Sequence, residues 1–105
     1  MVAGAIALAA TGATLAQEGG GQGDAARGKR FALQTCALCH VVSPTQLAPK
    51  RLTTAPSFVA IANMATTTPS GLNVFLSSPH PSMPNLILRR EEERNVIAYI
   101  MSLKR

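Results

Sequence analysis

The 105-residue sequence has few of the side chains that build a large core: no tryptophan, one tyrosine and three phenylalanines. A chain of this length forms one small domain. Domains of that size bury a modest share of their surface and usually need a staple, such as a disulfide, a metal or a bound group. A staple is therefore expected, because aromatic packing alone gives this chain a weak core.

Negative charge is also scarce, with five acidic residues against ten basic ones and a formal net charge of +5. No pair of carboxylates and no nucleophile with a neighbouring base is arranged for catalysis, so we do not expect an enzyme. Aromatic residues are not interleaved with the basic ones and no recognised motif is present, which argues against nucleic acid as a partner. The positive field favours acidic protein partners and speeds encounter at low salt.

The sequence has no long uninterrupted hydrophobic run. Residues 2–16 are uncharged and apolar but short and glycine-interrupted for a membrane span,. Small residues at Thr14 and Ala16 stand where a signal peptidase reads, so we expect 1–16 to be a signal peptide of an exported protein. No basic residue precedes the run, which leaves two alternatives: an upstream start, or an uncleaved membrane anchor. Residues 17–23 are expected to form a flexible glycine-rich leader.

The most informative stretch is C-x-x-C-H at residues 36–40, the covalent c-type haem attachment signature,. One helical turn brings positions i and i+3 to the same side, so the thiols of Cys36 and Cys39 can both reach vinyl groups of one porphyrin. His40 then projects under the iron as the proximal ligand. Both cysteines are consumed as thioethers and no disulfide is predicted. The covalently held porphyrin would supply the apolar centre that the side chains lack.

Two other interpretations of this motif are a redox-active dithiol and a zinc site. A thioredoxin-like redox pair needs a βαβ setting, which this helical, proline-rich chain does not offer. A structural zinc site needs four nitrogen or sulfur ligands, and His80 is the sole remaining histidine, far downstream,. Haem is the favoured interpretation.

Four helices are predicted. The first spans about residues 25–35 with Asp24 as its N-cap, and Gly28 in it suggests the close crossing of another helix. A loop, 41–55, follows His40. The second helix has Pro56 in its first turn, and its apolar face consists of Phe58, Ile61, Ala62 and Ala65.

The third helix starts at Pro69 with Thr68 as its cap. Its predicted buried side consists of Leu72, Phe75 and Leu76. The fourth helix has Glu91, Glu92 and Glu93 in its first turn, and Lys104 and Arg105 at its end, where both sets oppose the helix dipole. Its predicted buried face consists of Val96, Tyr99, Ile100 and Leu103.

The segment 78–84 contains three prolines and is predicted to be a stiff loop,. Stiffness suits a loop that presents one weak ligand, because little ordering entropy is left to lose. Met83 in this loop is the favoured distal ligand. His80 is the alternative, as a second imidazole, while Met64 and Met101 are interpreted as core fillers.

Taken together, these residues resemble the small monohaem class I cytochromes c of bacteria over about residues 24–104. The resemblance implies an all-α fold in which four helices wrap around one covalently attached haem c and the first and last helices cross. It implies thioether bonds from Cys36 and Cys39, axial ligation by His40 and Met83, and a contact of Gly28 and Phe31 with Tyr99. The carbonyl of Pro56 would accept the other ring N–H of His40, a role that Pro49 or Pro44 could fill instead.

The function that this resemblance implies is electron transport through a His/Met-ligated haem between respiratory or dehydrogenase partners. Two alternatives stay open: a haem sensor or peroxidase-like protein with an open sixth site, and a cytochrome subunit docked permanently on a dehydrogenase or oxidase. We expect a periplasmic monomer that meets redox partner proteins, with residues 24–105 as its cytochrome domain. A membrane-anchored form is the alternative if the N-terminal segment is not cleaved.

Overall fold

A computed structural model describes residues 3–6, 23–51, 53–83 and 86–105. In these ranges the chain forms four helices and no strand: α1 (Ala25–Thr35), α2 (Phe58–Asn63), α3 (Pro69–Leu76) and α4 (Arg90–Ser102). The all-α prediction is confirmed. In the same ranges no helix is both long and apolar enough to cross a membrane. Most of the predicted signal segment and leader, and Pro84 of the proline-rich loop, lie outside the described residues.

The crossing of α1 and α4 organises the fold. The carboxylate of Asp24 caps α1 by accepting from the backbone N–H of Arg27 at 3.0 Å, as predicted. Gly28 then lies directly on the backbone of α4, where any Cβ would overlap the carbonyl of Asn95. That Cβ would also stand 3.0 Å from the Cβ of Tyr99. Glycine therefore allows the two helix backbones to touch, which confirms the predicted crossing of the first and last helices.

The core lies along one face of α4. Val96, Tyr99 and Ile100 are buried, as predicted, and Leu103 is half-buried. Ile97 is also fully buried, which the four-residue face did not include. Phe31 of α1 is half-buried and packs against the same cluster. The other buried members of this cluster come from α1, the haem motif, the following loop and α2: Ala32, Ala37, Val42, Phe58 and Ala62.

Tyr99 connects this core to the loop after the haem motif, because its hydroxyl donates to the carbonyl of Val42 at 2.6 Å. Burial raises the pKa of Tyr99, so the hydroxyl keeps its proton at neutral pH,.

Tyr99→Phe is expected to lower the free energy of unfolding by about 1 to 2 kcal/mol, since a buried carbonyl loses its partner. Urea unfolding followed by circular dichroism measures this. An unchanged midpoint would show that water replaces the hydroxyl without cost.

The start of α2 differs from the prediction. The helix begins at Phe58, and the hydroxyl of Ser57 caps it by accepting from the N–H of Ala60 at 3.1 Å. Pro56 therefore precedes the cap and is not in the first turn. Ala65 is exposed beyond the end of the helix. Ser57 begins the helix because its side chain satisfies a free amide, which proline cannot do.

Helix α3 begins at Pro69 and is capped by Thr68, whose hydroxyl accepts from the N–H of Gly71 at 3.0 Å, as predicted. No residue of α3 is buried. Leu72 and Leu76 are half-buried, whereas Phe75 is 42% exposed and so was wrongly assigned to the buried side.

Helix α4 begins one residue after Arg89, whose N–H donates to the carboxylate of Glu92 at 2.9 Å. The N-cap position is thus Arg89. This backbone hydrogen bond lowers the pKa of Glu92. At the other end, Lys104 and Arg105 lie just beyond the C-cap Leu103 and outside the last turn. The acidic start of the helix is therefore as predicted, while the basic residues follow the helix rather than belonging to it.

Candidate haem site

The C-x-x-C-H motif forms a tight turn that continues the end of α1. Cys36 is the C-cap, and its N–H donates to the carbonyl of Ala32 at 2.8 Å. The N–H groups of Cys39 and His40 both donate to the carbonyl of Cys36, at 3.1 and 2.9 Å. The two cysteines are not joined to each other. The turn therefore presents both thiols and the imidazole from one short, hydrogen-bonded piece of backbone.

The loop that follows His40 returns to cover this turn. Three consecutive carbonyls of the motif each accept a hydrogen bond from it: Ala37 from Lys50 N–H at 3.1 Å, Leu38 from Arg51 N–H at 2.7 Å, and Cys39 from Thr53 Oγ1 at 2.5 Å. We call Lys50, Arg51 and Thr53 the strap. Sequence reasoning missed it, because two of its three donors are backbone amides that any residue except proline provides.

The imidazole of His40 is fixed in the orientation and tautomer that a metal ligand needs. The side chain is 7% exposed, and its Nδ1 lies 2.6 Å from the carbonyl oxygen of Pro56. A carbonyl can only accept, so Nδ1 carries the proton and Nε2 keeps its lone pair. Pro56, rather than Pro44 or Pro49, occupies this position. The ring of Phe58 packs at 5.4 Å between centroids and fixes the imidazole from the side.

The two non-haem interpretations of the motif find no support in this geometry. Burial raises the pKa of the Cys36 thiol to about 11, whereas a redox-active C-x-x-C pair depends on a lowered thiol pKa,. Within residues 3–6, 23–51, 53–83 and 86–105, no group of three or more histidine, cysteine or acidic side chains is placed to hold a metal ion. A zinc site that uses His80 as a fourth ligand is therefore not assembled in this part of the chain.

The loop that carries Met83 is held by contacts within itself. The N–H of Met83 donates to the carbonyl of His80 at 3.0 Å. The His80 ring stacks on Phe75 with centroids 3.7 Å apart, and its Nδ1 lies 2.9 Å from the carbonyl of Ser78. Met83 itself is half-buried.

Met64 and Met101, the two methionines interpreted as core fillers, differ from each other. Met64 is 51% exposed at the end of α2, so its assignment as a core filler was wrong. Met101 in α4 is half-buried. Met83 therefore combines partial burial with a position in a loop, where backbone hydrogen bonds hold it.

The residues present fit a c-type haem. Two unpaired thiols and an imidazole with a free Nε2 come from one turn, and a thioether comes from a separate loop. Apolar side chains are also available to cover a porphyrin. Val74 and Phe75 on α3 and Ile87 in the segment before α4 are exposed, and Leu38 between the two cysteines is 42% exposed.

In the described residues, helices are the only regular elements, the first and last of them cross, and the histidine of the C-x-x-C-H turn is buried, which together indicate a c-type cytochrome. The sequence is 38% identical over 81 residues to cytochrome c-552 of Bradyrhizobium diazoefficiens, a match that covers 77% of this chain and 76% of that protein. The chain therefore belongs to the small c-type cytochromes. No protein-family model matches the chain, and no solved structure matches it significantly.

Membership of this family settles the general chemistry. The protein is an electron carrier, and its cofactor is haem c, covalently attached through the cysteines of the motif. The family relationship indicates a carrier rather than an enzyme. It also indicates an exported protein, because c-type haem is attached outside the bacterial cytoplasm.

Proposed function

We propose that this protein carries single electrons in the periplasm between respiratory or dehydrogenase partners, with Cys36 and Cys39 as thioethers and His40 and Met83 as axial ligands. The observation that supports this most directly is the 2.6 Å contact between His40 Nδ1 and the Pro56 carbonyl. It fixes the tautomer, so that Nε2 keeps the lone pair that a metal ligand needs,. It also raises the basicity of the imidazole as a ligand.

Met83 is favoured over His80 as the distal ligand because the two side chains are engaged differently. The His80 ring already stacks on Phe75, and its Nδ1 contacts the Ser78 carbonyl. His80 is also flanked by Pro79 and Pro81, whereas Met83 has a flexible thioether side chain and a backbone fixed by its own hydrogen bond,. His80 then acts as a support for the loop that presents Met83.

Haem c supplies the redox centre, whose iron alternates between the ferrous and ferric states. The residues around the haem determine whether a substrate can reach the iron and what reduction potential the haem has. His40 and Met83 would hold the iron from a turn and from a separate loop, so no substrate would need to enter and the bound group would supply one-electron transfer. A thioether sulfur stabilises the reduced form more than a second imidazole would, which raises the potential.

The proposed partners are acidic redox proteins, because the formal charge of the chain is +5 before the haem propionates are counted,. The carrier would act as a monomer that meets its partners by diffusion. In this proposal residues 1–16 are a signal peptide, 17–23 a leader and 24–105 the cytochrome domain. Contact with the membrane would be transient, unless the N-terminal segment is retained.

The His/Met ligation is tested by Met83→Ala in the haem-loaded protein. The weak red charge-transfer band that a methionine sulfur gives to ferric haem is expected in the wild type and should be lost completely in the variant. The reduced variant should bind carbon monoxide rapidly, whereas the reduced wild type should not.

His80→Ala is the matched control, and we expect it to keep the band. Loss of the band in His80→Ala with retention in Met83→Ala would contradict the assignment of the distal ligand. Rapid carbon monoxide binding by the native reduced protein at neutral pH would favour the sensor or peroxidase-like alternative. Co-elution of the native protein with one large partner on size exclusion would favour the docked subunit.

A further inference from the structure

One acidic side chain is buried in a fold where negative charge is scarce. Glu93, in the first turn of α4, is 7% exposed, whereas Glu91 lies on the surface. Its Oε1 accepts a hydrogen bond from the hydroxyl of Ser77 at 2.7 Å. Within the described ranges Glu93 has no basic side chain in ion-pair distance. A buried carboxylate is costly unless it is hydrogen-bonded, so this contact with Ser77 is what allows Glu93 to be buried.

Ser77 stands where the Met83 loop begins. It is the C-cap of α3, and the contacts that follow it run in sequence through the loop. The hydroxyl of Ser78 donates to the carbonyl of Val74 at 2.7 Å, and the carbonyl of Ser78 lies 2.9 Å from His80 Nδ1. The carbonyl of His80 accepts from the N–H of Met83 at 3.0 Å. The Glu93–Ser77 hydrogen bond therefore links the start of this series to α4.

The two ends of the loop converge beside the same carboxylate. A cavity of about 360 Å³ is lined by residues 77–79 at the entry of the loop, by 86–88 after its exit, and by Leu76 and Glu93. Leu76 packs against the core cluster just before the loop, and the Glu93–Ser77 hydrogen bond adds a directional contact where the loop begins.

We infer that Glu93 is a positioning residue for Met83: through Ser77 it anchors the loop base to α4 and keeps the thioether at the iron. This inference rests on the proposed ligation by Met83. A thioether is a weak ligand. The fraction of protein with the Met83 sulfur bound to iron therefore depends on how much conformational entropy the loop would gain on release, and a well-anchored loop gains little. Loss of the anchor raises the fraction of protein in which the sixth position is open, and any added ligand gains apparent affinity by the same factor.

The test measures the carbon monoxide affinity of the reduced, haem-loaded protein. Glu93→Ala and Ser77→Ala are each expected to raise that affinity about tenfold, the factor that corresponds to losing one hydrogen bond to a charged group. The double variant should bind no tighter than either single one, because both remove the same contact. Glu93→Gln keeps an acceptor for Ser77 and should stay near the wild type. Should Glu93→Ala fail to fold, Ser77→Ala still decides the result.

A purely structural role is separated from positioning by Asn63→Ala. Asn63 holds the C-terminal end of the chain, since its Oδ1 accepts from Arg105 N–H at 2.9 Å. That variant should lower the unfolding midpoint without changing carbon monoxide affinity. Amide hydrogen exchange gives a second readout: Ser77→Ala should speed exchange at Met83, while the amides of 96–100 keep their protection.

Carbon monoxide binding distinguishes a failure of the Met83 ligation from a failure of the positioning role of Glu93. If the reduced wild type already binds carbon monoxide rapidly, the ligation by Met83 is wrong. If the wild type is closed but Glu93→Ala and Ser77→Ala bind carbon monoxide with wild-type affinity, the ligation stands and the positioning role of Glu93 is overturned.

Discussion

Gly28→Val is expected to cost about 3 kcal/mol or more of the free energy of unfolding, a large part of the stability of a domain this small. A Cβ at this position would overlap the carbonyl of Asn95, and that atom belongs to helical backbone that cannot rotate away. The helices must therefore separate, and the buried face of α4 loses its cover. Thermal unfolding of the haem-loaded protein, followed by circular dichroism, measures the effect.

Gly71→Ala is the matched control for this substitution. The atom nearest to its added Cβ is the hydroxyl of Thr68 at 3.1 Å, the end of a side chain that can shift. We expect a change within about 1 kcal/mol, since alanine also favours the helix. A Gly28→Val protein as stable as Gly71→Ala would mean that the crossing tolerates a wider spacing than the structure has.

The double substitution Cys36→Ala with Cys39→Ala is expected to abolish covalent attachment and, with it, cooperative folding. The side chains give a small core, and α3 has no buried residue of its own. A porphyrin that is not held covalently would be lost on dilution, and the apolar surface of α3 would be left in water. Haem retention after denaturation and far-ultraviolet circular dichroism are the two measurements.

Leu38→Ala is the control for the cysteine pair, because Leu38 lies between the two thiols and is already 42% exposed. That variant should retain its haem under denaturing conditions and unfold cooperatively. A well-folded, haem-free form of the double variant would contradict the idea that the cofactor is the staple of this fold.

Local signals in the sequence were sufficient to place the starts of α1 and α3. Asp24 and Thr68 cap the helices for which they were predicted, because a side-chain oxygen beside free amides acts within three residues,. The start of α2 was misplaced for the same physical reason, since Ser57 competes with Pro56 and satisfies an amide. Helix ends are thus predictable where capping is unambiguous.

Some features of the candidate site could be predicted from the sequence and others could not. The C-x-x-C-H spacing is specific for covalent haem attachment, so attachment could be predicted without knowledge of the fold. The strap over the motif could not, because it depends on backbone groups that leave no pattern in the sequence. The burial of Glu93 was missed as well, since its charge suited the helix dipole and gave no reason to look for Ser77,. Such contacts arise from tertiary placement alone.

The contact between α1 and α4 also bears on how the protein folds in time. The N–H of Asp24 donates to the side chain of Asn95 at 2.8 Å, across 71 positions of sequence. A long segment must therefore close before the crossing can form, and the entropy of that closure precedes any gain from the core. During synthesis and export α1 has no partner until α4 is available. The haem motif, which directly follows α1, is thus presented on a chain whose helix crossing has not formed until α4 is available.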